Sequence, residues 1–142
     1  MIKQLSVFLE NEPGRLVKVT RILEDGGIDI RALTVAETAD FGILRLIVND
    51  PDKAHGILKR NSVAVASDSV IGVEVDDKPG GLRAIAEILA DGEVNIEYVY
   101  AFVTKSHKKA FVVLRVDDRE RAVKVLDSNN IRLVEQDEVS EI

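Results

Sequence analysis

Apolar residues recur along the chain with two alternating periods, and the switches between them mark out elements. Leu5, Val7 and Leu9 occupy every second position, the period of a strand with one buried face. A turn follows at Asn11 to Gly14, and Leu16, Val19, Ile22 and Leu23 then fall at helical spacing. Pro13 suits the first turn of that helix, where its missing N–H would be unpaired anyway. Gly26-Gly27 ends the helix, because glycine enters the left-handed conformation freely. A second strand is predicted from Ile28 to about Glu37, a hairpin at Thr38 to Gly42, and a third strand at Ile43–Val48 with Leu44, Leu46 and Val48 on one face. Asp50 is a natural cap ahead of Pro51, Ala54, Ile57 and Leu58 form the buried stripe of the helix it opens, and Val63 and Val65 make a short fourth strand.

The same order then repeats. At an offset of 66 positions, Asn11-Glu12-Pro13-Gly14-Arg15-Leu16 lies over Asp77-Lys78-Pro79-Gly80-Gly81-Leu82, and Ile28-Asp29-Ile30 over Val94-Asn95-Ile96. Upstream, Leu5, Val7 and Leu9 match Ile71, Val73 and Val75. Downstream the offset becomes 68, so that Leu44, Leu46 and Val48 match Val112, Leu114 and Val116, and Asn61 matches Asn129. The two extra residues fall near Thr104 to Lys108, at a hairpin tip where an insertion costs least. A colinear series with one small length change points to an internal duplication.

The second copy is predicted as Val70–Val75, a helix near Pro79–Ala90, Val94–Val103, Lys109–Val116, a helix near Arg119–Ser128, and Ile131–Val134. We therefore divide the chain into modules at 1–68 and 69–136, followed by an acidic tail at 137–142 that is expected to be frayed. The order βαββαβ, with right-handed crossovers and short links, restricts each module to the α+β, ferredoxin-like arrangement: an antiparallel four-stranded sheet with two helices on one face. Phe8, Ile43, Ile47, Phe111 and Val113 fall on the other face, which a second copy of the chain is expected to cover, making a homodimer.

Composition narrows the function. The apolar fraction of 46% supplies a core, although modules of about 70 residues are each marginal alone. A net charge of −6 and a pI near 5.0 disfavour nucleic acid and anionic membranes as partners. With no cysteine, disulfides, thiolate metal sites and a cysteine nucleophile are excluded, which fits a cytoplasmic protein. The N-terminus lacks the long apolar run of a signal peptide, and no stretch approaches a membrane span.

The run Asn/Asp-x-Pro-Gly-x-Leu, an amphipathic helix, and then Val94-Asn95-Ile96 or Ile28-Asp29-Ile30 at a strand start resembles the ACT family, twice and over nearly the whole chain. The resemblance implies a small-molecule sensor, most often for an amino acid, with ligands at the seam between the Pro-Gly loop of one module and the second-strand start of its neighbour. Carried over, one site would use Asn11, Glu12, Gly14, Arg15 and Leu16 with Asn95 and Ile96, and the other Asp77, Lys78, Gly80, Gly81 and Leu82 with Asp29 and Ile30. The chemistry is independently reasonable. Helix-start N–H groups carry partial positive charge and favour a carboxylate, Gly14 and Gly80 allow close approach, and Asn95 offers a donor and an acceptor to an amino-acid head group. Asp29, acceptor-only when ionised, would prefer an ammonium, so the two sites should differ. A purely structural account competes with this one: Pro-Gly turns the chain into a helix, and Asn95 and Asp29 cap local backbone.

Other chemistries have thin support. His55 lies on a predicted helix and His107 in the charged run Lys105-Ser106-His107-Lys108-Lys109, with no metal-ligand spacing and no dinucleotide or Walker glycine motif. We expect no catalytic residues, no metal and no cofactor. Acidic runs such as Asp117-Asp118 read as solvated faces and helix caps. Lys108-Lys109-Ala110-Phe111-Val112-Val113 faintly resembles the basic-aromatic strand of RNA-binding modules of the same βαββαβ order, but it holds a single aromatic residue. Tyr98, Tyr100 and Phe102 share one strand face and read as packing. The competing role is protein interaction: a regulatory subunit of a partner enzyme, similar to the small subunits of branched-chain amino-acid synthesis (acetolactate synthase), or a ligand-free dimerisation module.

Overall fold

The computed structural model describes residues 1–37, 40–104 and 108–142. The tip of the expected Thr38–Gly42 hairpin, at Thr38 and Ala39, and the expected insertion with Lys105, Ser106 and His107 lie outside the described residues. Two compact units emerge, Lys3–Ser69 and Val70–Ile142, the latter with Met1–Ile2.

The first unit contains β1 (Ile2–Glu10), α1 (Arg15–Asp25), β2 (Ile30–Glu37), β3 (Phe41–Val48), α2 (Pro51–Arg60) and the beginning of β4 (Val65–Asp76). Its strands run antiparallel in the order β2-β3-β1, with Leu5 opposite Leu46 and Val7 opposite Leu44. Paired residues share a sheet face, so these apolar positions form one layer. Val19 and Leu23 of α1 and Ala54 and Leu58 of α2 close over it. Asp50 caps α2 by accepting from the Lys53 N–H at 3.1 Å, and the Phe8 N–H donates to the Ala64 carbonyl at 3.1 Å, holding the chain before β4 alongside β1.

The second unit contains the remainder of β4, then α3 (Gly81–Asp91), β5 (Ile96–Ala101), β6 (Lys109–Val116), α4 (Arg119–Ser128), β7 (Leu133–Val134) and a 3₁₀ helix at Gln136–Glu141. The order is β5-β6-β4-β7, all antiparallel. Ile71, Val73, Val112 and Leu114 make the sheet layer, covered by Ile85 and Leu89 of α3 and Ala122 and Leu126 of α4. Both units are the ferredoxin-like βαββαβ arrangement.

Three expectations change. The fourth strand of the first copy and the first strand of the second are one strand, β4, because Ser67-Asp68-Ser69, although polar, holds no glycine or proline to turn the chain. Pro13 and Pro79 precede the helices rather than sitting in their first turns: Gly14 and Gly80 are the caps, at φ 86° and 87°, and that left-handed residue separates each proline from its helix. The acidic tail is not frayed; it forms the 3₁₀ helix and buries Val139 and Ile142. On the sheet face away from the helices, Ile47 and Val113 are buried, and Phe8 is 50% exposed.

Candidate ligand-binding site

In each unit the strand leads into a tight Pro-Gly loop and then straight into a helix. The left-handed glycine turns the chain so that the helix starts without a side-chain cap. Among the described residues, no backbone acceptor meets the N–H groups of Leu16 and Val17 in α1, or of Leu82 and Arg83 in α3. These are the donors, carrying the positive end of the helix dipole, that a carboxylate would satisfy.

The two loops are dressed differently. Asn11, Glu12 and Gly14 are exposed, and the Arg15 guanidinium donates to Glu10 at 2.7 Å and to Glu12 at 3.1 Å, so its charge is already spent on the loop's own acids. In the second unit Asp77, Lys78 and Gly80 are exposed, while Gly81, the counterpart of Arg15, is buried. A Cβ on Gly81 would meet the Asp76 carbonyl oxygen at 2.0 Å, so only glycine lets the helix start approach the strand this closely. Leu16 and Leu82 both project into solvent, 43% and 47% exposed.

Asp29 and Asn95 stand exposed just before β2 and β5, with Ile30 and Ile96 half-buried against the two cores. Their backbone N–H groups are held by a neighbouring side chain, Asn49 at 2.9 Å for Asp29 and Asp117 at 3.0 Å for Asn95. The expectation that these two residues cap local backbone thus reverses: they are the ones capped. The Asn95 side chain makes no hydrogen bond among the described residues, whereas the Asp29 carboxylate lies 3.4 Å from the guanidinium of buried Arg31. Both second strands carry a register shift at the same place, between Ile30 and Ala32 and between Ile96 and Tyr98, a bulge that re-aims the strand start.

Within one unit the Pro-Gly loop and the second-strand start lie at opposite ends of a helix of 11 residues, about 16 Å apart at 1.5 Å per residue. The structure therefore groups Asn11 to Leu16, and Asp77 to Leu82, but does not bring either loop to the strand start of its own unit.

Each loop also borders a groove that sequence reasoning missed. In the second unit it encloses about 590 Å³. Its rim carries Glu74, Asp76, Lys78, Arg83, Lys109 and Arg132, an excess of positive charge in an acidic chain. Asp76 accepts from Lys109 at 2.5 Å and lies 3.9 Å from Lys78, and Arg132 lies 3.9 Å from Glu74. The hydrogen bond from Lys109 holds the Asp76 carboxyl below the usual carboxylate range, and Asp76 in turn pushes the Lys109 ammonium up. In the first unit the groove is about 220 Å³, with Phe8 and Phe41 on its rim. The available signal was strand register: Glu10 pairs with Phe41, and Asp76 with Lys109.

His55 is half-buried on α2. Tyr100 and Phe102 are buried and Tyr98 stacks beside Tyr100 at 6.3 Å, so these rings serve packing. Asp118 caps α4 from the Arg121 N–H. Among the described residues no cluster of three or more His, Cys, Asp or Glu is placed to hold a metal, and no helix is long and apolar enough to cross a membrane.

This chain belongs to the ACT domain pair family, whose pattern spans residues 1–142, and its architecture is that family's regulatory fold. Protein BT0572 from Bacteroides thetaiotaomicron is similar at 40% identity and a TM-score of 0.92, over 99% of this chain and 96% of that one. The regulatory subunit of aspartate kinase from Thermus thermophilus, in its ligand-free form, shares the fold at 16% identity and a TM-score of 0.64, over 89% of this chain and 90% of that one. Aspartate kinase from Synechocystis contains the same arrangement at 18% identity and a TM-score of 0.58, over 89% of this chain and 25% of that one. No protein of curated function matches the sequence.

Proposed function

We propose that the protein is a non-catalytic sensor that binds an amino acid, or a closely related metabolite, and regulates amino-acid metabolism. The observation that carries this reading is the duplicated Pro-Gly loop, in which a left-handed glycine leaves two helix N–H donors open beside a groove. One site combines Asn11, Glu12, Gly14, Arg15 and Leu16 with Asn95 and Ile96; the other combines Asp77, Lys78, Gly80, Gly81 and Leu82 with Asp29 and Ile30. Each takes its loop and its strand start from different modules, in one chain or in a homodimer. The Asn95 amide is the group for a ligand's head group. Asp29 is engaged by Arg31 and is the weaker counterpart. The absence of cysteine is compatible with a cytoplasmic setting.

The test is a thermal-shift screen of the pure protein against the common amino acids and their precursors. A ligand at a hundred times its Kd adds about 2.7 kcal/mol, roughly 5–10 °C in Tm for a chain of this size. The expected result is a shift with one chemical group of ligands that Asn95→Ala removes. No shift with any of them would sink the sensor reading.

A second reading has a specific support. A protein described as a regulatory subunit of aspartate kinase has the same fold over nearly its whole length, and a small chain of this shape would control a separate enzyme through a ligand's bias between two states. A partner enzyme retained on the tagged chain during purification supports it, and its loss on adding the ligand would show the coupling.

A further inference from the structure

The duplication supplies its own control for what each groove is for. Both grooves have the same walls: the end of the first strand, the first turns of the first helix, and a left-handed turn before the last strand, at Ser62 (φ 61°) in one and Asn130 (φ 57°) in the other. Their bases match, with Leu9, Val19 and Val63 in the first and Val75, Ile85 and Ile131 in the second. The rims do not. Where the second unit has Glu74 and Lys109, tied into ion pairs with Arg132 and Asp76, the first has Phe8 and Phe41. Where the second has Ala84, the first has Lys18.

The fold does not require those rings, because the second unit builds the same backbone with charged residues in their places. Yet they make up half of the chain's four phenylalanines and remain 50% and 40% exposed. Their centroids are 6.1 Å apart with the planes tilted by 54°, a favourable aromatic pair whose remaining exposed surface can pack against a further ring. The cations beside them divide the work. Arg15 is held by Glu10 and Glu12, whereas Lys18 is exposed and makes no ion pair among the described residues. An apolar ring surface next to one uncommitted ammonium fits an aromatic ring with one carboxylate. A volume of about 220 Å³ lies below the several hundred Å³ of pockets for drug-sized ligands and suits a single ring with a short acid chain.

We propose that the groove of the first unit is a binding site for a single-ring aromatic carboxylate, with the ring against Phe8 and Phe41 and the carboxylate on Lys18. This goes beyond the sensor reading, since the groove lies wholly within one unit and needs no second-strand start from another module.

The experiment is calorimetric titration of the full chain with phenylacetate, phenylpyruvate and L-phenylalanine, with L-leucine and inorganic phosphate as controls. Saturable binding of at least one aromatic acid is expected, with none for phosphate. The double variant F8E/F41K gives the groove the residues its duplicate carries, so the fold should accept it; circular dichroism checks this, and affinity should fall at least tenfold. Lys18→Ala keeps both rings and should weaken binding by roughly tenfold, the loss of one charge-assisted hydrogen bond. It decides the matter if the double variant does not fold. Asn95→Ala separates the two proposals: binding that survives it but not F8E/F41K belongs to the groove. Binding lost in Asn95→Ala and kept in F8E/F41K would overturn the groove and leave the sensor reading standing. No aromatic acid bound, or a self-associating wild type that F8E/F41K turns into a smaller species without any aromatic acid having bound, would also overturn it. In the last case the rings would be a contact between copies.

Discussion

Glu93 holds a left-handed backbone, φ 58°, at the position where the first unit uses Gly27, φ 68°. A side chain at that φ is strained by about 1 kcal/mol or more, whereas glycine is not. Glu93 is not compensated by a strong contact: its pairing with Arg121 spans 3.8 Å between exposed side chains, an interaction worth little in water. Glu93→Gly should therefore stabilise the protein by up to about 1 kcal/mol, the strain removed less the added freedom of the unfolded chain. The urea midpoint would rise, and an unchanged or lower midpoint would show that the turn is not strained. The duplication makes the position visible in the sequence, where Gly27 lies over Glu93. The partner of the Asn95 backbone N–H was not legible in the same way. That it is the Asp117 carboxylate that holds the Asn95 N–H, rather than Asn95 that caps backbone, depends on two chain segments meeting at a β-bulge.

Elements whose local signals agree formed as the pattern predicts. Strand β6 and helix α4 have the expected bounds, and Asp50 and Asp118 each cap a helix by accepting from the N–H three residues on. Where two signals competed, the reading failed for an identifiable reason. A proline before a helix and a left-handed glycine cannot both lie within its first turn, and the glycine won at both loops. The strands expected at Val63 and Val65 and at Val70–Val75 run together as β4 through polar Ser67-Asp68-Ser69, because extended backbone accepts polar side chains where nothing turns the chain. The contact between β4 and β6 shows what only register reveals. Asp76 and Lys109 are 33 residues apart, face each other across the ladder and hydrogen-bond at 2.5 Å. The Asp76 carboxyl is lowered by that bond, so the pair's contribution is present above the ordinary value of 3.8 and is lost as pH falls below it, through the folded value. Lys109 is raised, so its contribution is present below 10.5 and is lost as pH rises through its folded value. An NMR titration of the Asp76 carboxyl carbon should give a midpoint below 3.8 that moves up in Lys109→Ala; an unmoved midpoint would mean that the two groups do not pair in solution.

Across the whole chain, the internal repeat was the most informative feature, because an apolar pattern repeated with one small length change specifies two cores of the same construction. Leu46 of β3 and Leu114 of β6 are counterparts in that repeat. Each is essentially inaccessible, 1% and 0% exposed, and each lies in the middle strand of its layer, between β1 and β2 or between β4 and β5. Truncating either removes three buried carbons and leaves a cavity that helices on one side and paired strands on both flanks resist closing. The cost of such a change is about 2–5 kcal/mol. Leu46→Ala should reduce hydrogen-exchange protection at the β1 and β3 amides by that amount, and Leu114→Ala should do the same at β4 and β6. A loss below about 1 kcal/mol at either site would mean that its layer is not the close-packed core described. Because the counterparts sit in equivalent surroundings, the two losses should also be alike. The divergence between the copies would then be confined to the grooves and loops at their rims, where one carries paired charges and the other carries Phe8, Phe41 and Lys18.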